Sequence, residues 1–264
     1  MNRGRGIYLL PNLFTTAALF AGFYAIVAAS SQRFEAAAVA IFVAIILDGM
    51  DGRIARMTST ESNFGAQYDS LSDMVSFGLT PALVMYEWSL ASMGKAGWLA
   101  AFIYAAAAAL RLARFNTQVG SADKRYFQGL PSPAAAGLIA ALVWLAERYA
   151  FDIFIVTQGF TLFLTVAAGI LMVSNVRYHS FKELDLRGKV PFMTILVIVL
   201  VFVFISIEPP LVLFGILLLY AVSGPVLTLM QLRQHRARRA GISTDDRQPA
   251  SESGNDRPAD KADP

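Results

Sequence analysis

Eight long apolar stretches dominate this chain, near residues 8 to 30, 35 to 54, 68 to 91, 97 to 115, 131 to 149, 153 to 174, 190 to 207 and 210 to 231. Each approaches the roughly twenty residues that a helix needs to cross about 30 Å of hydrocarbon. The stretches are apolar on all faces, so length rather than helical period identifies them. The short alternating segments of a membrane barrel are absent. With 56% of 264 residues apolar and a mean hydropathy of +0.52, little is left for a water-soluble domain. The predicted fold class is therefore an all-α polytopic membrane protein with eight spans.

Charge then orients the spans. With the N-terminus placed in the cytoplasm, sixteen of the 22 Lys and Arg fall in inner loops or at inner helix ends, and only Arg33, Lys95 and Arg148 fall outside. The positive-inside rule thus predicts a multi-pass protein of the cytoplasmic (inner) membrane with both termini cytoplasmic. The net charge of +3 is a topology signal, and nucleic acid is not an expected partner because no soluble surface alternates basic and aromatic residues. The absence of Cys removes disulfides, thiolate metal sites and Cys nucleophiles from consideration. Met1 to Arg5 followed by an apolar run looks like a secretory signal, but Pro11 and Asn12 are odd in a signal core, and the segment is read as the first span. Residues 241 to 264 are rich in Asp, Ser, Pro and Gly and are expected to be disordered.

Four acids interrupt the apolar pattern. Asp48 and Asp51 close the second span, and Asp69 and Asp73 open the third. A carboxylate at membrane depth costs roughly 2.5 to 3.5 kcal/mol, so four together require compensation. The spacings i, i+3 and i, i+4 put each pair on one helix face. The short link from Met57 to Phe64 makes the two helices antiparallel neighbours, so that all four carboxylates converge on one volume at the cytoplasmic end. Arg53 and Arg56 lie nearby, but two cations do not neutralise four anions. Hard oxygen donors in this number suit Mg²⁺, Mn²⁺ or Ca²⁺, with room for two ions. Gly52, Ala55 and Gly65 are small residues that let a flat, bulky group approach the backbone. A cation channel or transporter is the competing reading, since intramembrane acids often line ion paths. All four acids, however, cluster at one face, and no inverted repeat is visible.

Taken together, Asp48 to Asp73 reads D-x2-D-G-x2-A-R-x8-G-x3-D-x3-D. This resembles, at every defined position, the signature of the CDP-alcohol phosphotransferase family. The resemblance implies a six-helix membrane core, usually a homodimer. Such enzymes transfer a substituted phosphate from a CDP-linked donor to an alcohol and release CMP. It further implies that Asp48, Asp51 and Asp69 hold a divalent ion, Mg²⁺ or Mn²⁺, on the diphosphate. Asp73 would lie near a second ion and act as the catalytic base. Gly52, Ala55, Arg56 and Gly65 would form the nucleotide-binding part of the site. The implied organisation is a catalytic core over 1–182, two additional helices over 183–232, and a basic, then disordered cytoplasmic tail over 233–264.

Four further stretches resemble the phosphatidylserine synthase branch of that family: Pro11-Asn12 with Thr15, Arg111 to Asn116 (RLARFN), Phe127 to Gly137 (FQGLPSPAAAG) and Met172 to Lys182 (MVSNVRYHSFK). They imply CDP-diacylglycerol and L-serine as substrates within the lipid membrane, giving phosphatidylserine and CMP. Glycerol 3-phosphate, inositol phosphate or choline are the alternative acceptors. Asn12, Thr15, Arg111, Arg114, Arg177 and Lys182 are the candidates for binding the lipid phosphate or serine, with the four cations doubling as topology markers at inner helix ends. Ala18 and Gly22 have small-xxx-small spacing and the run Ala105 to Ala109 is equally small, so both predict close helix packing.

Overall fold

The computed structural model describes residues 9–58, 62–117, 126–149, 154–179 and 192–245. Helix α1 (Leu9–Ser30) turns sharply into α2 (Phe34–Thr58). Gln32 takes the left-handed conformation at φ 59°, which is how helices often end. Its N–H returns to the Ala29 carbonyl at 2.8 Å, and that of Arg33 to Ala28 at 2.9 Å. The third apolar stretch is a broken rod: α3 (Asn63–Asp73), a π-helical turn at Met74–Leu79, and α4 (Thr80–Trp88). Ser62 caps α3 by accepting the Gly65 N–H at 3.0 Å, the ordinary use of a serine at a helix start.

After a short 3₁₀ turn come α5 (Lys95–Thr117), β1 (Tyr126–Gln128), α6 (Ser132–Tyr149), α7 (Phe154–Val173), β2 (Arg177–His179), α8 (Phe192–Ile207) and α9 (Pro209–Asp245). The chain divides into two compact units, Met1–Val226 and Leu227–Pro264. In the second, α9 runs on to Asp245, past the expected end near 231 and into the stretch expected to be disordered. Residues 246 to 264 lie outside the described residues.

The all-α reading holds, with one addition. β1 and β2 form a small antiparallel ribbon pairing Tyr126 with His179 and Gln128 with Arg177. Two three-residue strands carry no hydropathy signature, so nothing in the apolar pattern announced them. Three described helices are long and apolar enough to span a bilayer by themselves: Pro11–Ser30, Lys95–Thr117 and Pro209–Met230. The second and third rods fall short individually because acids interrupt one and a π turn divides the other.

Small side chains make the core. Ala25, Ala28, Ala37, Ala38 and Ala44 are all but fully buried, so α1 and α2 approach closely along their length. α6 covers α2, and α7 covers α5. The partner of the Ala18 and Gly22 stripe is the third rod. A Cβ on Gly22 would lie 2.6 Å from Ser76 Oγ and 2.9 Å from Ser76 Cα. The close approach is also hydrogen-bonded. Ser72, Ser76 and Thr80 donate in turn to the carbonyls of Thr15 (3.2 Å), Ala18 (3.2 Å) and Gly22 (3.1 Å). Their i, i+4, i+8 spacing puts all three on one face. The π turn widens the helix between these rungs and frees backbone groups; the buried Tyr104 hydroxyl donates to the Phe77 carbonyl at 3.2 Å.

Gly22→Ala tests this packing. The added methyl meets backbone, so the third rod must shift, and a loss of about 1 to 3 kcal/mol is expected. Thermal unfolding of the purified protein in detergent checks it; Ser76→Ala, which deletes one rung, is expected to cost only about 0.6 kcal/mol.

Candidate active site

Because α1 packs against both acid-bearing elements, it sets the distance between them. Thr15 makes the link. Its hydroxyl donates to Asp51 Oδ2 at 2.7 Å, while its carbonyl accepts from Ser72, one residue before Asp73. Both hydroxyl groups are buried. One residue of α1 thereby ties α2 to the third rod at the level of the acids. Thr16 adds a second tie, its hydroxyl 2.8 Å from that of Tyr68, beside Asp69.

The carboxylates do converge. Asp48, Asp51 and Asp69 each offer an oxygen such that all three lie within 4.8 Å of one another. Asp73 closes the group through side-chain hydrogen-bond contact with Asp48. Two bare carboxylates do not tolerate that approach, which needs a proton or a cation between them. Asp51 is only 5% exposed, and Asp69 Oδ1 and Asp73 Oδ1 are buried without a hydrogen-bond partner among the described residues. Buried acceptors left unpaired are costly. A hard divalent cation satisfies all of these demands at once, and four carboxylates are the donor set it prefers. The residues therefore fit the implied metal.

Gly52 directly follows Asp51 and Gly65 lies one helical turn before Asp69. A Cβ on Gly52 would meet nothing within 4 Å, so its missing side chain leaves open space beside Asp51. A Cβ on Gly65 would come within 3.1 Å of Ser62 Oγ and 3.5 Å of Asn12 Oδ1, which brings Asn12 and Gly65 together. Ala55 is half-buried on the same helix as Asp48 and Asp51. The side chain of Arg56 lies outside the described residues.

Two of the four candidate cations, Arg111 and Arg114, separate into different roles. Arg114 is engaged mainly with backbone. It donates to the carbonyls of Val173 (2.9 Å) and Met172 (3.4 Å) at the end of α7, to Gln128 of β1 (2.9 Å) and to Asn175 Oδ1 (3.3 Å). A cation on the terminal carbonyls of a helix is favourable. Gly129, at φ +78°, makes the clasp possible, since a Cβ there would run into the Met172 carbonyl oxygen. Arg111, one turn earlier, is 8% exposed. Its Nη1 reaches Ser132 Oγ at 3.4 Å, and its Nε has no partner among the described residues. It lies within electrostatic reach of Asp73 and Tyr220. The Arg177 backbone pairs with Gln128, but its side chain, like all of Lys182, lies outside the described residues.

The three later motif stretches therefore meet in one place. RLARFN supplies Arg114, FQGLPSP supplies β1 and Gly129, and MVSNVRYH supplies the end of α7 and β2. Asn116 adds a bond from its Nδ2 to Ser70 Oγ at 3.0 Å, on the acid-bearing α3. β2 also anchors α9. The buried Tyr178 hydroxyl donates to the Ala221 carbonyl at 2.9 Å, and its ring occupies the space that a Gly224 side chain would need. Ser72, Ser132 and Tyr178 were not singled out from the sequence. Only Ser72 carried a signal, the four-residue spacing with Ser76 and Thr80 in an otherwise apolar run.

Known proteins agree with the geometry. The family model for CDP-alcohol phosphatidyltransferase matches residues 8–176. A CDP-diacylglycerol–serine O-phosphatidyltransferase of Helicobacter pylori (strain ATCC 700392 / 26695) is 39% identical over 220 residues, 82% of this chain and 90% of its own length. One from Mycobacterium tuberculosis (strain ATCC 25618 / H37Rv) is 34% identical over 242 residues, 88% of this chain and 83% of its own. An archaetidylserine synthase of Methanothermobacter thermautotrophicus is 30% identical over 171 residues, 64% of this chain and 69% of its own. The matched region contains all four acids, both faces of the α1 junction and the Arg114 clasp, and the chain belongs to the CDP-alcohol phosphatidyltransferase family.

Proposed function

We propose that this protein transfers the phosphatidyl group of CDP-diacylglycerol to the hydroxyl of L-serine, giving phosphatidylserine and CMP, with a divalent cation, Mg²⁺ or Mn²⁺, held by Asp48, Asp51 and Asp69. The observation that carries the reading is the convergence of these three carboxylates beside Asp73, with buried oxygens left unpartnered. The serine-specific names of relatives that match most of the chain support the choice of acceptor. When bound, the metal neutralises the diphosphate and stabilises charge on the departing CMP oxygen.

The chain's own residues supply the remaining chemistry. The serine hydroxyl oxygen attacks the phosphatidyl phosphorus, the P–O bond to CMP breaks, and Asp73 takes the hydroxyl proton. Thr15 orients Asp51, and the space beside Gly52 admits the nucleotide, with Ala55, Arg56 and Gly65 around it. Arg111 grips an anionic group, the serine carboxylate or the donor phosphate, through the Nε that no described residue engages. Arg114 acts indirectly, by holding the β ribbon to α7. The protein works as a homodimer in the cytoplasmic membrane with its acids facing the cytoplasm, an orientation supported by the distribution of Lys and Arg along the chain.

Purified protein incubated with CDP-diacylglycerol, Mg²⁺ and a panel of alcohols is expected to release CMP with serine; release with glycerol 3-phosphate alone overturns the acceptor assignment. Asp73→Asn is expected to lower turnover about 10² to 10⁴-fold, the range for losing a general base, without lowering the melting temperature, because a repelling charge leaves the cluster. Mg²⁺ or Mn²⁺ is expected to raise the melting temperature of the wild type and to leave that of an Asp48→Asn, Asp69→Asn double variant unmoved. The arginines should diverge: Arg111→Ala raises the KM for a substrate about tenfold at near-normal stability, whereas Arg114→Ala lowers the melting temperature by loosening four contacts. Equal effects in both assays would remove the distinction.

A further inference from the structure

A second polar cluster lies at the other end of the bundle. From Thr15 to Ser31, α1 climbs about 24 Å at 1.5 Å per residue, which carries the α1–α2 turn to the opposite membrane interface. A groove of about 900 Å³ runs there between α1 and α2, at the upper end of the range for a small-molecule site. Its floor is made of small residues, with Ala21 and Ala40 each 7% exposed. Phe20, Tyr24, Val39 and Val43 stand along it as walls, between 36% and 71% exposed. Along α2 its lining runs from Phe34 to Leu47, about 20 Å, longer than the roughly 15 Å hydrocarbon depth of one leaflet. A flat floor with raised apolar walls, open to the bilayer along its length, is the complement of an acyl chain.

The mouth of the groove identifies the head group. Arg33, Glu35 and Glu147 all line it. The Arg33 guanidinium sits 5.7 Å from the centre of the Tyr24 ring, a cation–π arrangement that holds it at the opening. Glu35 Oε1 accepts from Trp144 Nε1 at 3.1 Å and Glu147 Oε1 from Trp88 Nε1 at 2.8 Å. Each carboxylate has further lone pairs beyond the one its tryptophan uses. One anchored cation beside two anchored carboxylates matches a head group that carries a phosphate and a hydrogen-bond-donating cation. A purely anionic lipid would face two uncompensated acids, and a quaternary ammonium has no N–H to donate.

We infer that this groove binds a zwitterionic aminophospholipid of the leaflet opposite the active site, its phosphate on Arg33, its primary ammonium between Glu35 and Glu147, and one acyl chain along α1 and α2. The inner end of the groove reaches Leu47, beside Asp48, but its charged mouth lies at the opposite end and takes no part in the transfer chemistry.

The full chain in detergent, titrated separately with dioleoyl phosphatidylethanolamine, phosphatidylcholine and phosphatidylglycerol and read by native mass spectrometry, tests the assignment. Phosphatidylethanolamine is expected to bind about tenfold more tightly than the other two, the size of one charge-assisted contact. Glu35→Gln with Glu147→Gln keeps the oxygens that receive the indoles and removes only the charges, so it is expected to abolish the preference. Arg33→Ala is expected to weaken all three lipids. CMP release serves as the folding control and stays at the wild-type rate in these variants. Equal binding of the three lipids, or a preference that survives the double substitution, overturns the proposal. So does efficient disulfide cross-linking of two copies through Phe20→Cys, in a chain otherwise free of Cys, since a second copy would then occupy the groove.

Discussion

One hydroxyl and one carbonyl, both of Thr15, decide whether the acids form a site. α2 brings Asp48 and Asp51, and the third rod brings Asp69 and Asp73, but their most extensive shared neighbour is α1. Because Thr15 donates to Asp51 and accepts from Ser72, the carboxylates are held at a separation set by hydrogen bonds rather than by their own repulsion. The small residues above it, Ala18 and Gly22, let the rungs at Ser76 and Thr80 close. A bulky residue at Gly22 would push the third rod away and take Asp69 and Asp73 with it.

The electrostatics of the cluster point the same way. Gathering four buried or half-buried carboxylates against each other is unfavourable in any medium, and in a membrane each one costs several kcal/mol. Among the described residues the fold gathers such a cluster at one level of the bundle. Asp51 is given Thr15, but buried oxygens of Asp69 and Asp73 are left with no partner among the described residues. A site completed by protein groups would have no reason to leave acceptors open, whereas a site completed by a cation and a diphosphate would. The neighbouring Arg111, buried with its Nε unengaged, extends the same pattern to a cationic donor.

The motif stretches that follow α4 have a mainly architectural part. Arg114 gathers the ends of α7 and β1, Asn116 reaches back to α3, and Tyr178 pins α9 at Gly224. α9 thus reaches the site as well, because Tyr220 lies within electrostatic reach of Arg111.

The apolar lengths alone determined the helical membrane class and most helix positions, because bilayer thickness dictates how many residues a span needs. The spacing of Asp48, Asp51, Asp69 and Asp73 likewise made shared helix faces legible, since helical geometry is local. Which helix each face meets was not legible. α1 as the mediator, the π turn after Asp73 and the ribbon of two three-residue strands arise from contacts between segments distant in the chain, and no local pattern records them. The different roles of Arg111 and Arg114 also came from the tertiary structure. The two residues look alike in RLARFN, one helical turn apart; only the packed ends of α7 and β1 engage one of them and leave the other facing the acids.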